Sequence, residues 1–475
     1  MPTLRSVSIA FAIVATFCPP QVAATQVPAP TDATAALLAE LIRLNTSNPP
    51  GNEDLIAQFL APRFKALGFE TEIIATPQAG KSHFIARLRG DGSKKPILLA
   101  AHADVVGVER EKWTLDPFAG VIRDGYVFGR GAIDFKGGMA VFARAAMLLA
   151  ERKVRLERDV IFMAEADEEG GRYSTSWLAQ SHWPSMDAEF ALNEGGWIIK
   201  RDNGSVRYVS ISTADKGGVS FTLTARGTST HSSMPRPDNA IFTLGKALAK
   251  LAEFDTDVQL TASTRQFFTT LAKTSEPPMS EYFRDLVSGD PVRVKRADKE
   301  ISRDPLLHAI MRNTIAPVLM NAGFRGNVIP GSAEATINLR TIPGTDPAEL
   351  AAMLKRVIAD DRVEISSSQA QGGTSGPGVP TALVSSEDTE LYRALVKEAK
   401  AQYAGAEVTS YLFQAGTDAR AWRSRGVPVY GIYPYAIDAE DLSRMHGNDE
   451  RVSVESLRQG TEMVYRTLVS VAGKK

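Results

Sequence analysis

Two rhythms of apolar and polar positions divide this chain. Leu37, Leu38, Leu41 and Ile42 share one helical face, and Asp32 stands where a cap belongs, which predicts a helix over 31–45. A second helix is predicted over 53–67, stopped by Gly68. Strands follow at 70–75 and 84–88, then an apolar run at 96–101 and a strong helix over 136–152. Two further apolar runs lie at 159–166 and 188–192. Strands and helices in alternation argue for an α/β fold with a mixed, mostly parallel sheet flanked by helices.

The rhythm changes near Asp215-Lys216-Gly217-Gly218. Val219, Phe221, Leu223 and Ala225 alternate with polar neighbours, as do Ala333, Ala335, Ile337 and Leu339, and a helix is predicted between them over 239–254. This is the pattern of a small α+β unit with one sheet face covered, inserted over 215–343. The charged, poorly periodic stretch at 261–305 is expected to be a helical or loop elaboration of it. After Pro343-Gly344 the α/β pattern is expected to return, with helices over 347–359, 387–403 and 454–471 and strands at 363–366 and 427–433. The glycine- and proline-rich stretch at 371–380 reads as a surface loop. The predicted organisation is a catalytic domain in two parts, 31–214 and 344–475, around the insert.

Composition narrows the function. A chain of 475 residues favours two or more domains, and 44% hydrophobic with 23% charged residues is ordinary globular content. A formal net charge of -1 gives no global attraction to nucleic acid or to an anionic membrane. Arg5, the apolar run at 7–17 and Val22-Ala23-Ala24 read as a secretory signal peptide over 1–24, too short for a stable membrane span. Cys18, the sole cysteine, lies inside it, so a mature protein in a periplasm or outside the cell would carry no thiol.

The chemistry sits where apolar runs end. Ligands of parallel α/β sheets bind beyond the carboxyl ends of strands. One run ends in Ala101-His102-Ala103-Asp104, one in Asp167-Glu168-Glu169-Gly170-Gly171 and one in Asn193-Glu194-Gly195-Gly196. Between the first two, Gly129-Arg130-Gly131-Ala132-Ile133-Asp134 places an aspartate in a glycine-rich turn. Each alone is bland: a buried His–Asp pair, a solvated acidic turn, a turn former. Together they read as one metal site. Imidazole and carboxylate suit zinc, with cobalt or manganese as substitutes. Asp134 is the natural bridge between two ions, and Asp104 is placed to fix the His102 tautomer. In Glu168-Glu169 one acid can bind metal while the other serves as general base. His446, in Arg444-Met445-His446-Gly447, would complete the second ion's set. His83, His182 and His308 lack acid–glycine surroundings and read as structural or surface residues.

These segments, in this order, resemble the cocatalytic-zinc hydrolases that include glutamate carboxypeptidase, aminoacylase, acetylornithine deacetylase and succinyl-diaminopimelate desuccinylase. Trp113 and Pro117-Phe118 are most similar to the carboxypeptidase S and N-acyl-amino-acid hydrolase branch. The resemblance implies two zinc ions, one held by His102, Asp134 and Glu194 and the other by Asp134, Glu169 and His446. It implies Glu168 as general base and Asp104 as the orienting group. The insert then becomes a lid and dimerisation domain, with His231 of Thr230-His231-Ser232-Ser233 stabilising the oxyanion. Asn327, Arg340, Gly416 and Thr417 match substrate-binding positions, the arginine pairing with a free carboxylate. The implied substrate is a small peptide or N-acyl amino acid, cut at the amide of a C-terminal amino acid. Two rivals remain: a di-zinc aminopeptidase or dipeptidase, and a non-catalytic binding homologue, against which the intact Glu168 and ligand set weigh.

Overall fold

The apolar run before His102 becomes the strand Ile97–His102, central to a ten-stranded mixed sheet. A computed structural model describes residues 32–368 and 384–474; the predicted signal peptide and the predicted loop at 371–380 lie outside them. Ile97–His102 pairs in parallel with Val160–Glu165 on one side and Phe190–Asn193 on the other. All three carboxyl ends therefore open at one edge, as the motif positions require. Successive side chains of Ile97–His102 alternate between two cores. Ile97, Leu99 and Ala101 pack with the helices Ala33–Arg43, Lys136–Glu151 and Val454–Ala472, while Leu98 and Ala100 pack with Thr175–Ser181 and Trp422. Cover on both faces is why the run is continuously apolar. Asp32 does cap its helix, its carboxylate accepting from Thr34 and Ala35 N–H.

Antiparallel edges complete the sheet. Glu70–Ala75 and Ser82–Leu88 form a hairpin against Val160–Glu165, and the long strand Val206–Asp215 carries Glu407–Phe413 in parallel. The sequence pattern did not isolate these last two strands.

The alternating segments form a separate four-stranded antiparallel sheet, ordered Thr314–Ala322, Ser332–Thr341, Gly217–Arg226, Val363–Ser368. Val219, Phe221, Leu223 and Ala225 face Ala333, Ala335, Ile337 and Leu339 in its core, as their periodicity predicts. Two expectations change here. The helix Pro347–Ile358 and the strand Val363–Ser368 belong to this sheet rather than to a returning catalytic domain, because Leu350, Leu354, Ile358 and Val363 bury themselves in its core. Conversely, the stretch after residue 261 forms the helices Ala262–Thr274, Met279–Leu286, Pro291–Ile301 and Pro305–Ile310, and its apolar side joins the large sheet's core. Phe267 meets Tyr208 and Tyr411 edge-on there. Among the described residues no helix is long and apolar enough to cross a membrane.

Candidate active site

At the open edge His102 Nε2 lies 3.2 Å from Asp134 Oδ1 and 3.6 Å from Glu194 Oε2. Asp134 turns its other oxygen, Oδ2, to His446 Nε2 at 2.9 Å, and His446 Nε2 is 3.1 Å from Glu169 Oε1. One carboxylate thus faces two imidazoles with two different oxygens, the disposition a bridge needs. Glu168 is also at hand: donor atoms of His102, Glu168 and Glu194 all lie within 4.8 Å of one another, as do those of Asp134, Glu169 and His446.

These donors fit divalent cations. Tetrahedral zinc with ligands at about 2.0–2.2 Å separates neighbouring donors by about 3.3 Å, and the observed spacings run from 2.9 to 3.6 Å. Glu169 Oε1 is buried and has no hydrogen-bond partner despite its proximity to His446. Four carboxylates around two imidazoles also need positive charge. Among side chains alone, burial raises Glu168 well above the usual carboxylate range, helped by Glu194, and burial raises Glu194 to about 7. The nearby carboxylates of Asp134 and then Glu169 push His446 up to about 10.

Asp104 and several side chains that the motifs did not single out hold this cluster in place. The carbonyl of Asp104, not its carboxylate, meets His102 Nδ1 at 2.9 Å. The carboxylate stands 3.7 Å from that nitrogen and instead accepts N–H bonds from Glu168 (3.2 Å) and Glu169 (3.0 Å) and from Asn48 Nδ2 (2.8 Å). Asp104 therefore orients the two glutamates as well as the histidine. Asp167 adopts a left-handed φ of 64° and is ion-paired with buried Lys81, while its other oxygen accepts from Arg172 and Tyr173 N–H. That turn aims Glu168 and Glu169 at the sheet edge.

Glu450 does the same for the Asp134 turn. Fully buried, it accepts N–H bonds from Gly131 (3.0 Å), Ile133 (2.6 Å) and Asp134 (3.0 Å) and pairs with Arg130 at 2.7 Å. Arg130 in turn donates to the carbonyl of Gly447 at 2.8 Å, tying the Asp134 and His446 turns together. His446 itself sits at φ 59°, costly for a non-glycine residue and held by this bracing. At Glu194, Gly431 leaves room for close approach: a Cβ there would stand 2.1 Å from the Glu194 carbonyl. Arg130 within Gly-Arg-Gly and Glu450 within the His446 turn could have been noticed in the sequence. Asn48 and Lys81 carry no local signal.

The insert contributes separately. Thr230–His231 pairs with Val328–Ile329, and Ser232 N–H donates to the Asn327 carbonyl, so His231 and Asn327 are neighbours. Both are exposed, and His231 bonds to Ser233 rather than to the carboxylate cluster. Arg340, across from Gly218 in the sheet, has its Nη1 3.8 Å from where a Cβ on Gly416 would stand. No carboxylate pairs with it among the described residues. Burial first, and then the neighbouring Arg340 and Arg312 charges, hold the Lys216 ammonium down to about 7. Thr417 gives its hydroxyl to Asp215 at 2.7 Å, fastening the Gly416 loop to the start of the insert. Of the remaining histidines, His83 is buried against Tyr173 and Trp177, and His308 faces Asp255.

Two imidazoles and four carboxylates gathered from strand ends and turns at one edge of a mixed sheet have the arrangement of a metallohydrolase. The chain belongs to Peptidase family M20/M25/M40, whose model matches residues 98–470. It is a hydrolase acting on amide bonds. It is 30% identical over 385 residues to "Probable carboxypeptidase S-like 2" of Dictyostelium discoideum, covering 80% of this chain and 72% of the relative. Over 397 residues it is 29% identical to the human "N-fatty-acyl-amino acid synthase/hydrolase PM20D1", covering 82% and 76% respectively. The crystal structure of the M20 family metallo-carboxypeptidase Sso-CP2 from Sulfolobus solfataricus superposes with a TM-score of 0.68 at 19% identity, over 93% of this chain and 99% of that one.

Proposed function

We propose that the protein is a di-zinc hydrolase that releases a C-terminal amino acid from a small peptide or an N-acyl amino acid. Asp134 facing two imidazoles with separate oxygens carries the two-metal reading. The Arg340 guanidinium, beside Gly416 and without a carboxylate partner among the described residues, carries the free-carboxylate reading. His102, Asp134 and Glu194 would hold one ion and Asp134, Glu169 and His446 the other. Bound ions supply acidified water and polarise the scissile carbonyl. The chain's own groups do the rest. Glu168, whose carboxylate accepts no hydrogen bond among the described residues, takes the proton of the attacking water and returns it to the departing amine. Asp104 holds the backbone of Glu168 and Glu169, and Arg340 binds the substrate carboxylate as a fork. The names of the relatives support acyl amino acids as substrates.

A panel of N-acyl amino acids and dipeptides, each with a C-terminally amidated twin and assayed with and without chelator, tests this. Cleavage of the free acids only, abolished by chelator, is expected. Equal cleavage of the amidated twins would replace this reading with the aminopeptidase one.

The same proposal makes the insert a dimerisation surface, with His231 serving a neighbouring subunit's oxyanion. Thr314–Ala322 is an edge strand, paired on one side with Ser332–Thr341 and on the other with no strand among the described residues; its Val318, Leu319 and Met320 are exposed, as is Phe242 on the nearby helix Ala240–Ala252. Long apolar edges invite strand pairing. A dimer is expected in sedimentation, lost on Leu319→Lys; a wild-type monomer removes the idea. Export through the predicted signal peptide is the remaining part, checked by a mature N-terminus near residue 25.

A further inference from the structure

Tyr433 lies beneath the donor cluster in a position that no motif flagged. Its hydroxyl is 3.1 Å from Asp134 Oδ1 and 3.0 Å from Glu194 Oε2. These are the same two oxygens that approach His102 Nε2. The atoms facing His446, Asp134 Oδ2 and Glu169 Oε1, receive no such bond. The ring is rigidly placed: it stacks on Trp197 at 4.1 Å and 5°, meets Phe135 edge-on at 5.1 Å, and its backbone N–H donates to the Gly196 carbonyl at 2.6 Å. Core packing alone explains the ring, but it does not explain a buried hydroxyl aimed at two carboxylates. A phenol has one proton and two lone pairs, so it donates to one oxygen at a time. Either bond fixes a carboxylate rotamer.

We infer that Tyr433 is a positioning residue chiefly for the donor group around His102: its hydroxyl presets Asp134 Oδ1 and Glu194 Oε2 for a cation there, while it reaches the group around His446 through the shared Asp134 alone. The inference rests on the two-metal reading. Glu194 needs the tether more than a shorter acid would, because its side chain has an extra rotatable bond to freeze. Partners of metal-binding carboxylates typically affect metal affinity about 10–100-fold.

The test is competition titration of metal-free, full-length protein with Zn2+ against a chromophoric chelator. Tyr433→Phe keeps the stack and removes one oxygen. In a His446→Ala background, where the His102 group is left, it is expected to weaken zinc binding about 10–100-fold. In a His102→Ala background, where only its bond to Asp134 bears on the remaining donors, a smaller loss is expected. Unaltered affinity in the first background, or an equal loss in both, overturns the inference. Should Tyr433→Phe fail to fold, Trp197→Phe shrinks the ring that Tyr433 rests on and keeps its hydroxyl. A weakening larger at the His102 group than at the His446 group is expected again, and its absence overturns the inference. Wild-type stoichiometry judges the two-metal reading separately, since it does not involve the variant-to-wild-type ratio.

Discussion

Glu168→Gln is expected to keep full metal content and to lose about 10²–10⁴-fold in kcat, the usual contribution of a general acid–base. The side chain keeps its volume, and the backbone N–H of residue 168 still bonds Asp104. What disappears is the ability to take a proton. Burial and the nearby Glu194 raise this carboxyl above the ordinary range, the direction that makes a carboxylate a stronger proton acceptor. The cluster geometry also admits a rival: Glu168 lies close enough to His102 and Glu194 to be a metal ligand. Metal analysis separates the two. Loss of one ion per chain in the variant makes Glu168 a ligand, and wild-type turnover removes it from the chemistry altogether.

Glu450→Ala should be the most damaging change outside the donor set. It strips three backbone N–H groups of their acceptor and leaves Arg130 buried without its partner. Removing one partner of a buried ion pair costs about 3–5 kcal/mol. The loss should also show in function, because Glu450 and Arg130 together hold the Asp134 turn against the His446 turn. Chemical denaturation should give a lower midpoint, and the folded fraction should bind fewer metal ions. Glu450→Gln is expected to fall between, since one amide oxygen cannot serve both arginine and turn. Unchanged stability in the alanine variant would show that the turn holds itself.

Much of the site was legible because it lies at strand ends. A strand buried on both faces must be apolar until it leaves the sheet, so a polar residue at its end is conspicuous. His102, Glu168, Glu169 and Glu194 were found that way. The bracing residues were not. Lys81 and Asn48 act on partners 86 and 119 residues away in the chain, both at Asp167, and nothing near them reveals it. Tyr433 looked like one more core aromatic in an apolar strand.

Domain assignment failed for a related reason. Periodicity correctly marked Pro347–Ile358 as a helix and the next segment as a strand, yet it could not say which sheet they would join. Pairing with Gly217–Arg226 decided that. The phenylalanines of Ala262–Thr274 likewise revealed their partners only once Tyr208 and Tyr411 stood beside them.

By itself, then, the sequence determined the α/β class, the element types and the identity of the acids and histidines at the strand ends, because local periodicity and burial impose those choices residue by residue. Only the tertiary structure decided which sheet each late element joins, that the Asp104 carbonyl rather than its carboxylate meets His102, and that Glu450, Lys81 and Tyr433 brace the centre. Such contacts join residues far apart in the chain, and a hydrogen bond across that separation leaves no periodic trace.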